Sequence, residues 1–288
     1  MLRSPVSELR STLGEALFLK VSGPDGPKHR DRIHGRAGPR WFPAGSAIRR
    51  VHADASMFVG GIRAVLLQSL HPAAMAAVAE HSGFRGDMWG RLARTSTFLA
   101  ATTFGTAVDA QAAVDAVRRI HERISGLAPD GTPYAASDPH LLEWVHVAEV
   151  DSFLTAHQVY GAQPLDQAGR DEYVAQEAVI AEKLGVPDPP RTEAELREAL
   201  DRFRPELRGT KQAREAISFL LWHPDLPLAA RPPYLVLAAA AIGLLPPWTR
   251  WELRLPWLPV SERTVVRLLG RVATGAIRWA MTPAPTAD

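Results

Sequence analysis

Residues 57–80 read MFVGGIRAVLLQSLHPAAMAAVAE. From Met57 to Leu70 the chain is apolar on almost every face of a 3.6-residue helix, and a helix apolar all round belongs in the middle of a protein. Pro72 has no amide hydrogen for an internal helical turn but fits the first position of a new helix. The stretch therefore divides into Met57–Leu70 and Ala73–Glu80, two consecutive buried helices.

Outward from this core the helical pattern continues. Trp89–Phe104 forms a third helix, ended by Gly105. Asp109 caps a fourth, on which Val114, Val117, Ile120/His121 and Ile124 share one stripe and which Gly126 stops. Ser137-Asp138-Pro139 opens a fifth, from His140 to Tyr160. Later helices are expected near Ala168–Leu184, Thr192–Phe203, Thr210–Trp222, Pro233–Leu244 and Pro259–Met281. Thr192 with Glu195 has the form of a capping box. Strand signals are scarce and no repeat at helical-array periods is present. The expected fold is all-α, a single orthogonal bundle of about nine to eleven helices. Residues 1–44 read as an irregular lead-in with one short helix (Val6–Leu19), 45–281 as the domain, and 282–288 as a disordered tail.

The totals restrict function. Apolar residues make up 46% and charged residues 22%, enough apolar material for a core without covalent staples. The net charge of +2, from 33 basic and 31 acidic residues, speaks against a dedicated nucleic-acid binder. Cysteine is absent, which removes disulfides, thiolate metal sites and a cysteine nucleophile, and fits a reducing compartment. The N-terminal residues lack the apolar core of a secretion signal. The longest apolar run, Tyr234–Leu245, would rise about 18 Å against a hydrocarbon core of about 30 Å, so it reads as a buried helix. A cytoplasmic protein with at most peripheral membrane contact is expected.

Ten histidines are present. His29 and His34 lie in the polar lead-in, and His157 and His223 near helix ends. His71, His81, His121 and His146 lie within the dense helical block. His121 sits on an apolar stripe, as either a satisfied core residue or a ligand, with Arg118 one turn earlier. Arg91, Arg94 and Thr95 stand at i, i+3 and i+4, hence on one face, as a pocket wall or a solvated basic edge. His71 precedes the Pro72 break, and it and His81 serve as polar junctions or caps. Glu143 and His146 have the Glu-x-x-His spacing of di-iron bundles, but a second pair is missing. Phosphate-binding glycine loops, serine elbows and zinc-protease motifs are absent as well.

In order, the chain carries Arg63…Leu66-Leu67-Gln68…His71-Pro72, His81-Ser82, Arg91-Leu92-x-Arg94-Thr95, Phe104-Gly105, Arg118-x-x-His121-x-x-x-x-Gly126 and Tyr134-x-Ala136-x-Asp138-Pro139-x-Leu141-Leu142-x-Trp144-Val145-His146. This series resembles the MpaB/rubber-oxygenase (latex clearing protein) catalytic domain, an all-helical haem-binding oxygenase family, over residues 45 to 250. The resemblance implies haem b in a buried pocket, with His121 as the iron ligand. It also implies Arg91, Arg94 and Thr95 on the distal side, where hydrogen bonds to dioxygen or peroxide would form. Arg63, Arg118 and His71 become candidates for propionate pairing, and His146 a second candidate for the iron. Arg94 departs from the family, whose rubber-cleaving members carry a metal-ligating lysine there; an arginine stays protonated and is a poor ligand. The expected function is thus a haem-dependent oxygenase or oxidase using dioxygen on an apolar, isoprenoid- or lipid-like small molecule. The alternatives are a helical haem- or lipid-binding protein without turnover and a di-iron carboxylate enzyme.

Overall fold

A computed structural model describes residues 5–81, 88–222 and 226–282. Ser82, His223 and the tail beyond Thr282 lie outside the described residues. Apart from one small hairpin, the described chain is helical. In order it runs α1 (Pro5–Ser22), α2 (Gly26–Gly35), α3 (Ala47–His52), α4 (Met57–Gln68), α5 (Pro72–His81), α6 (Met88–Phe104) and α7 (Ala107–His121). The hairpin β1 (Ser125–Leu127) and β2 (Pro133–Ala135) follows, antiparallel, with Gly126 opposite Tyr134. Next come α8 (Pro139–Tyr160), α9 (Gln167–Leu184), α10 (Glu193–Phe203), α11 (Lys211–Trp222), α12 (Arg231–Gly243) and α13 (Thr249–Leu253). Last, α14 (Pro259–Ser261) passes through a π-turn (Glu262–Val266) into α15 (Arg267–Met281).

The all-α expectation holds, and α4 is the central helix that its sequence predicts. Val59, Leu66 and Leu67 are fully buried, and α4 packs against α8 and α12. Gly60 permits the α8 crossing: a Cβ there would stand 2.6 Å from Phe153 Cδ1 and 3.3 Å from Ser152 O. No single helix among the described residues is long and apolar enough to cross a membrane.

A charge sits in this core. Arg63 is 3% exposed and directs Nη2 to Asp151 Oδ2 (2.6 Å), Nη1 to Ser152 Oγ (2.7 Å) and Nε to the Leu244 carbonyl (3.0 Å). A buried guanidinium is tolerated only with such partners. The expected pairing of Arg63 with a propionate is therefore corrected: its charge is balanced by Asp151 and it ties α4 to α8 and to the end of α12.

The lead-in is more helical than its glycines and prolines suggest. Pro27 stands in the first turn of α2, where its missing N–H costs nothing. At α7 the cap is Thr106, not Asp109. Thr106 Oγ1 accepts the Asp109 N–H (3.2 Å) and donates to Asp109 Oδ2 (2.9 Å). Asp109 is thus an N-terminal partner inside the first turn, where a carboxylate suits the helix dipole. The helix ends at His121, so Ile124 leads into β1 and does not extend the stripe.

Candidate functional site

Helices α6 and α7 are joined by Gly105 and Thr106 and pack against each other. The carboxylate of Asp109 holds the turn end, reaching Arg36 (2.9 Å) and Arg32 (3.2 Å). Along α7, Ala110 and Val114 are fully buried, and the same stripe ends in half-buried His121. At about 1.5 Å per residue, His121 and Arg91 each stand about 20 Å from the turn, at the far end of their helices. The His121 imidazole makes no hydrogen bond or ion pair among the described residues. Burial alone lowers its pKa, so the imidazole is neutral at neutral pH and keeps a lone pair available. On α6, Arg91 is half-buried and its pKa is lowered by burial and then by the neighbouring Arg94 charge. Arg94 and Thr95 are exposed.

Arg118 does not share the buried face. It is exposed and donates to the Lys183 carbonyl at the C-terminal end of α9 (3.3 Å). The residue that the resemblance offers for propionate pairing thus serves α9 as a C-terminal cap.

A second constellation, buried between α3, α6, α8 and α9, centres on His52, which the sequence reading passed over. His52 Nδ1 lies 2.8 Å from Thr103 Oγ1, and Nε2 lies 2.9 Å from Glu177 Oε1 and 3.4 Å from Tyr173 Oη. Phe153 and Tyr173 meet the imidazole edge-on. The approach of Nε2 to Glu177 is close but poorly aligned, and Oε1 has no true hydrogen bond. His146 joins this nest from α8, its buried Nε2 without a hydrogen-bond partner. Burial pulls the His146 pKa down to about 4, against the smaller upward pull of Glu177. Glu149, one turn on, is pushed up to about 8, first by burial and then by the Glu177 charge. At neutral pH the nest therefore holds a neutral imidazole and a protonated carboxyl. Glu143 is not part of it; it pairs with Arg202 (3.0 Å), so the Glu143–His146 spacing does not form the pair it suggested. The sequence signal that was available is Tyr173 with Glu177 at i, i+4, polar groups on an otherwise buried face of α9.

His71 belongs to a third group. Its Nε2 lies 3.3 Å from Glu206 Oε2, which also contacts His140 Nε2 (2.8 Å), and its Nδ1 accepts a long hydrogen bond from the Ala74 N–H (3.5 Å). The cap expected of His71 is thus present at the start of α5, and its second nitrogen engages a carboxylate of the protein, not a propionate. Among the described residues these three, His71, His140 and Glu206, offer donor atoms within 4.8 Å of one another and could hold a metal ion.

His81 lies beside the ring of Tyr134, whose hydroxyl donates to Glu80. Two clefts lie elsewhere. One of about 330 Å³ is walled by Tyr160, Leu244, Trp257, Arg263 and Arg267, and one of about 210 Å³ by Asp151, Gln158 and Arg197. Neither touches His121, Arg91 or His52.

Residues 49–279 match the family model described as ER-bound oxygenase mpaB/B′/rubber oxygenase, catalytic domain. No curated protein and no solved structure matches the chain.

Proposed function

The chain belongs to the MpaB/rubber-oxygenase catalytic-domain family, a family of oxygenases, and on that premise we propose that it binds haem b through His121 and oxidises an apolar, isoprenoid- or lipid-like small molecule with dioxygen. The observation that carries the proposal is the state of His121. It is a half-buried imidazole kept neutral by burial, uncommitted to any described residue, at the far end of α7. An axial ligand to a porphyrin needs one such nitrogen, whereas a metal held by side chains alone needs three or more donors together. His121 fits the first requirement.

Haem held there would supply the oxygen-activating chemistry, which side chains cannot perform. The chain's own share would be positioning and polarity. Arg91, a half-buried guanidinium on α6, is a donor suited to an anionic or strongly polar group. Arg94 and Thr95 add donors to the same helical surface, suited to a polar oxygen group. Arginine at 94 cannot act as a metal ligand at any working pH, which leaves ligation to the histidine side. The phenyl and leucyl groups of Phe98 and Leu99 on the same helix pack against the hydrophobic core.

The test is the absorption spectrum of protein expressed with haem supply, beside His121→Ala and His146→Ala. A Soret band lost or shifted in His121→Ala and retained in His146→Ala is the expected result. A band unaffected by His121→Ala would remove the assignment, and no band in any protein would remove haem altogether. In the latter case the metal group to examine is His71, His140 and Glu206, by metal analysis of the wild type beside His140→Ala.

A further inference from the structure

Tyr160 ends α8 only 4% exposed, because Gly270 lets α15 cross directly over its ring: a Cβ at Gly270 would stand 2.7 Å from Tyr160 Cε1. The ring is covered, yet its hydroxyl makes no hydrogen bond among the described residues. Burial pushes the phenol pKa up, against smaller downward pulls from the Arg267 and Arg271 charges, so the group is a hydrogen-bond donor at neutral pH. A buried donor with no acceptor carries a cost that a bound acceptor would remove.

The place for that acceptor is the cleft of about 330 Å³ that Tyr160 helps to wall. It lies where the end of α8 meets the turn after α12, the start of α14 and the π-turn, and its volume suits a small molecule. Two cations stand on its wall. Arg267 is half-buried and Arg263 exposed, and neither forms an ion pair or side-chain hydrogen bond among the described residues. The carboxylate of the wall is already engaged: Glu262 is held by both prongs of buried Arg250 (3.1 and 3.2 Å) and accepts the Leu258 N–H (3.2 Å). Its charge is thus cancelled where it would otherwise repel an anion. Leu244, Leu245, Pro259 and Trp257, whose indole is 56% exposed, make the remaining wall apolar. Glu262 and Arg263 belong to the π-turn, a rare conformation that recurs at functional sites.

We infer that this cleft binds a small amphipathic anion, its carboxylate or phosphate head on Tyr160 Oη and Arg267 and its apolar body along Leu244, Pro259 and Trp257. A guanidinium beside a phenolic hydroxyl offers an oxyanion several directed donors. The cleft touches neither His121 nor Arg91, so this inference stands or falls separately from the proposed haem chemistry.

The test is isothermal titration calorimetry of the full chain with hexyl phosphate, hexanoate, inorganic phosphate and hexanol. One equivalent of an alkyl anion is expected to bind, more weakly at high salt, and the stronger of hexyl phosphate and hexanoate identifies the head. Inorganic phosphate should bind at least about tenfold more weakly than its hexyl ester, for want of the apolar body, and hexanol not at all. Tyr160→Phe deletes only the hydroxyl and Arg267→Gln the charge; each should lower affinity about tenfold or more, the loss of a hydrogen bond between charged or polar donor and anion. Lys211→Gln, the same change of net charge at an exposed site on α11, should leave affinity unchanged, and all three variants should melt near the wild type. No heat from either alkyl anion overturns the inference, as does hexanol or inorganic phosphate binding as tightly as the alkyl anions. Affinity that both Tyr160→Phe and Arg267→Gln leave intact overturns it too. A loss in Lys211→Gln equal to that in Arg267→Gln would mark attraction by net charge alone and likewise sink it.

Discussion

Replacing Glu149 by glutamine should stabilise the protein, and by an amount that depends on pH. Glu149 sits in α8 beside Glu177, and its carboxyl is pushed from an ordinary 4.5 up to about 8, chiefly by burial. The folded state therefore prefers the protonated acid. Below the unfolded-state value both states are protonated and the group is neutral in its effect. As pH rises from there toward 8, the unfolded chain releases a proton that the folded chain retains, and stability falls by about 1.4 kcal/mol per pH unit until the folded group also ionises. Between pH 5 and 8 the wild type should lose about 3 kcal/mol through this one group. Glutamine is a near-isostere of the protonated acid and does not titrate. Its difference from wild type should thus widen over that interval by the same amount, or roughly 6 °C in melting temperature for a chain of this size. Thermal melts of both proteins at pH 5, 6, 7 and 8 measure the widening directly, and any constant offset from the substitution cancels. A difference flat across that range would show that Glu149 ionises normally and that the nest is more polar than its burial implies.

Other substitutions address the frame around the sites. Asp151→Ala leaves the Arg63 guanidinium buried without its anion and should cost about 3 kcal/mol, read as a lower denaturation midpoint in urea; a cost below about 0.5 kcal/mol would mean that water reaches Arg63. Gly60→Val forces side-chain carbon into Phe153 and the Ser152 carbonyl and should cost about 1–3 kcal/mol, with a lowered melting temperature. An unchanged melting temperature would show that the α4–α8 crossing can open. Thr106→Ala removes the α7 cap and should cost about 1 kcal/mol, against little change for Val108→Ala on the exposed side of the same turn.

The helices were legible because their signals are local. Pro72, Gly105, Asp138-Pro139 and the Thr192–Glu195 box each act within a few residues of themselves, and the observed boundaries fall within two or three positions of those read from them. Asp109 shows where locality misleads. It is a good capping residue, but Thr106 reaches it from three positions earlier and takes the cap, leaving the aspartate to hold Arg32 and Arg36 from the lead-in. Those ion pairs join segments far apart in sequence and have no periodic trace. The lead-in helix α2 has the same origin: a short charged stretch with little intrinsic drive is held because Ile33 is buried and α2 packs on α6.

The same distinction separates the three polar groups. His121 stood on an apolar stripe that left it open as a core residue or a ligand, and the family resemblance, through Arg118-x-x-His121, is what singled it out. The fates of Arg63 and His71 could not be read, because their partners Asp151 and Glu206 are distant in sequence. His52 gave no warning at all: at the end of a six-residue helix its neighbours are ordinary, and its partners Thr103, Tyr173 and Glu177 come from two other helices. A buried nest with a neutral histidine, a protonated glutamic acid and a poorly bonded carboxylate carries a standing cost that a hydrophobic core of equal volume would avoid. Such a cost is retained where the polarity is used. The α6 hydroxyl of Thr103 borders the nest, on the same helix as Arg91, Arg94 and Thr95. The Glu149→Gln protein, which matches the wild type in charge at neutral pH, measures that cost through its melting curve.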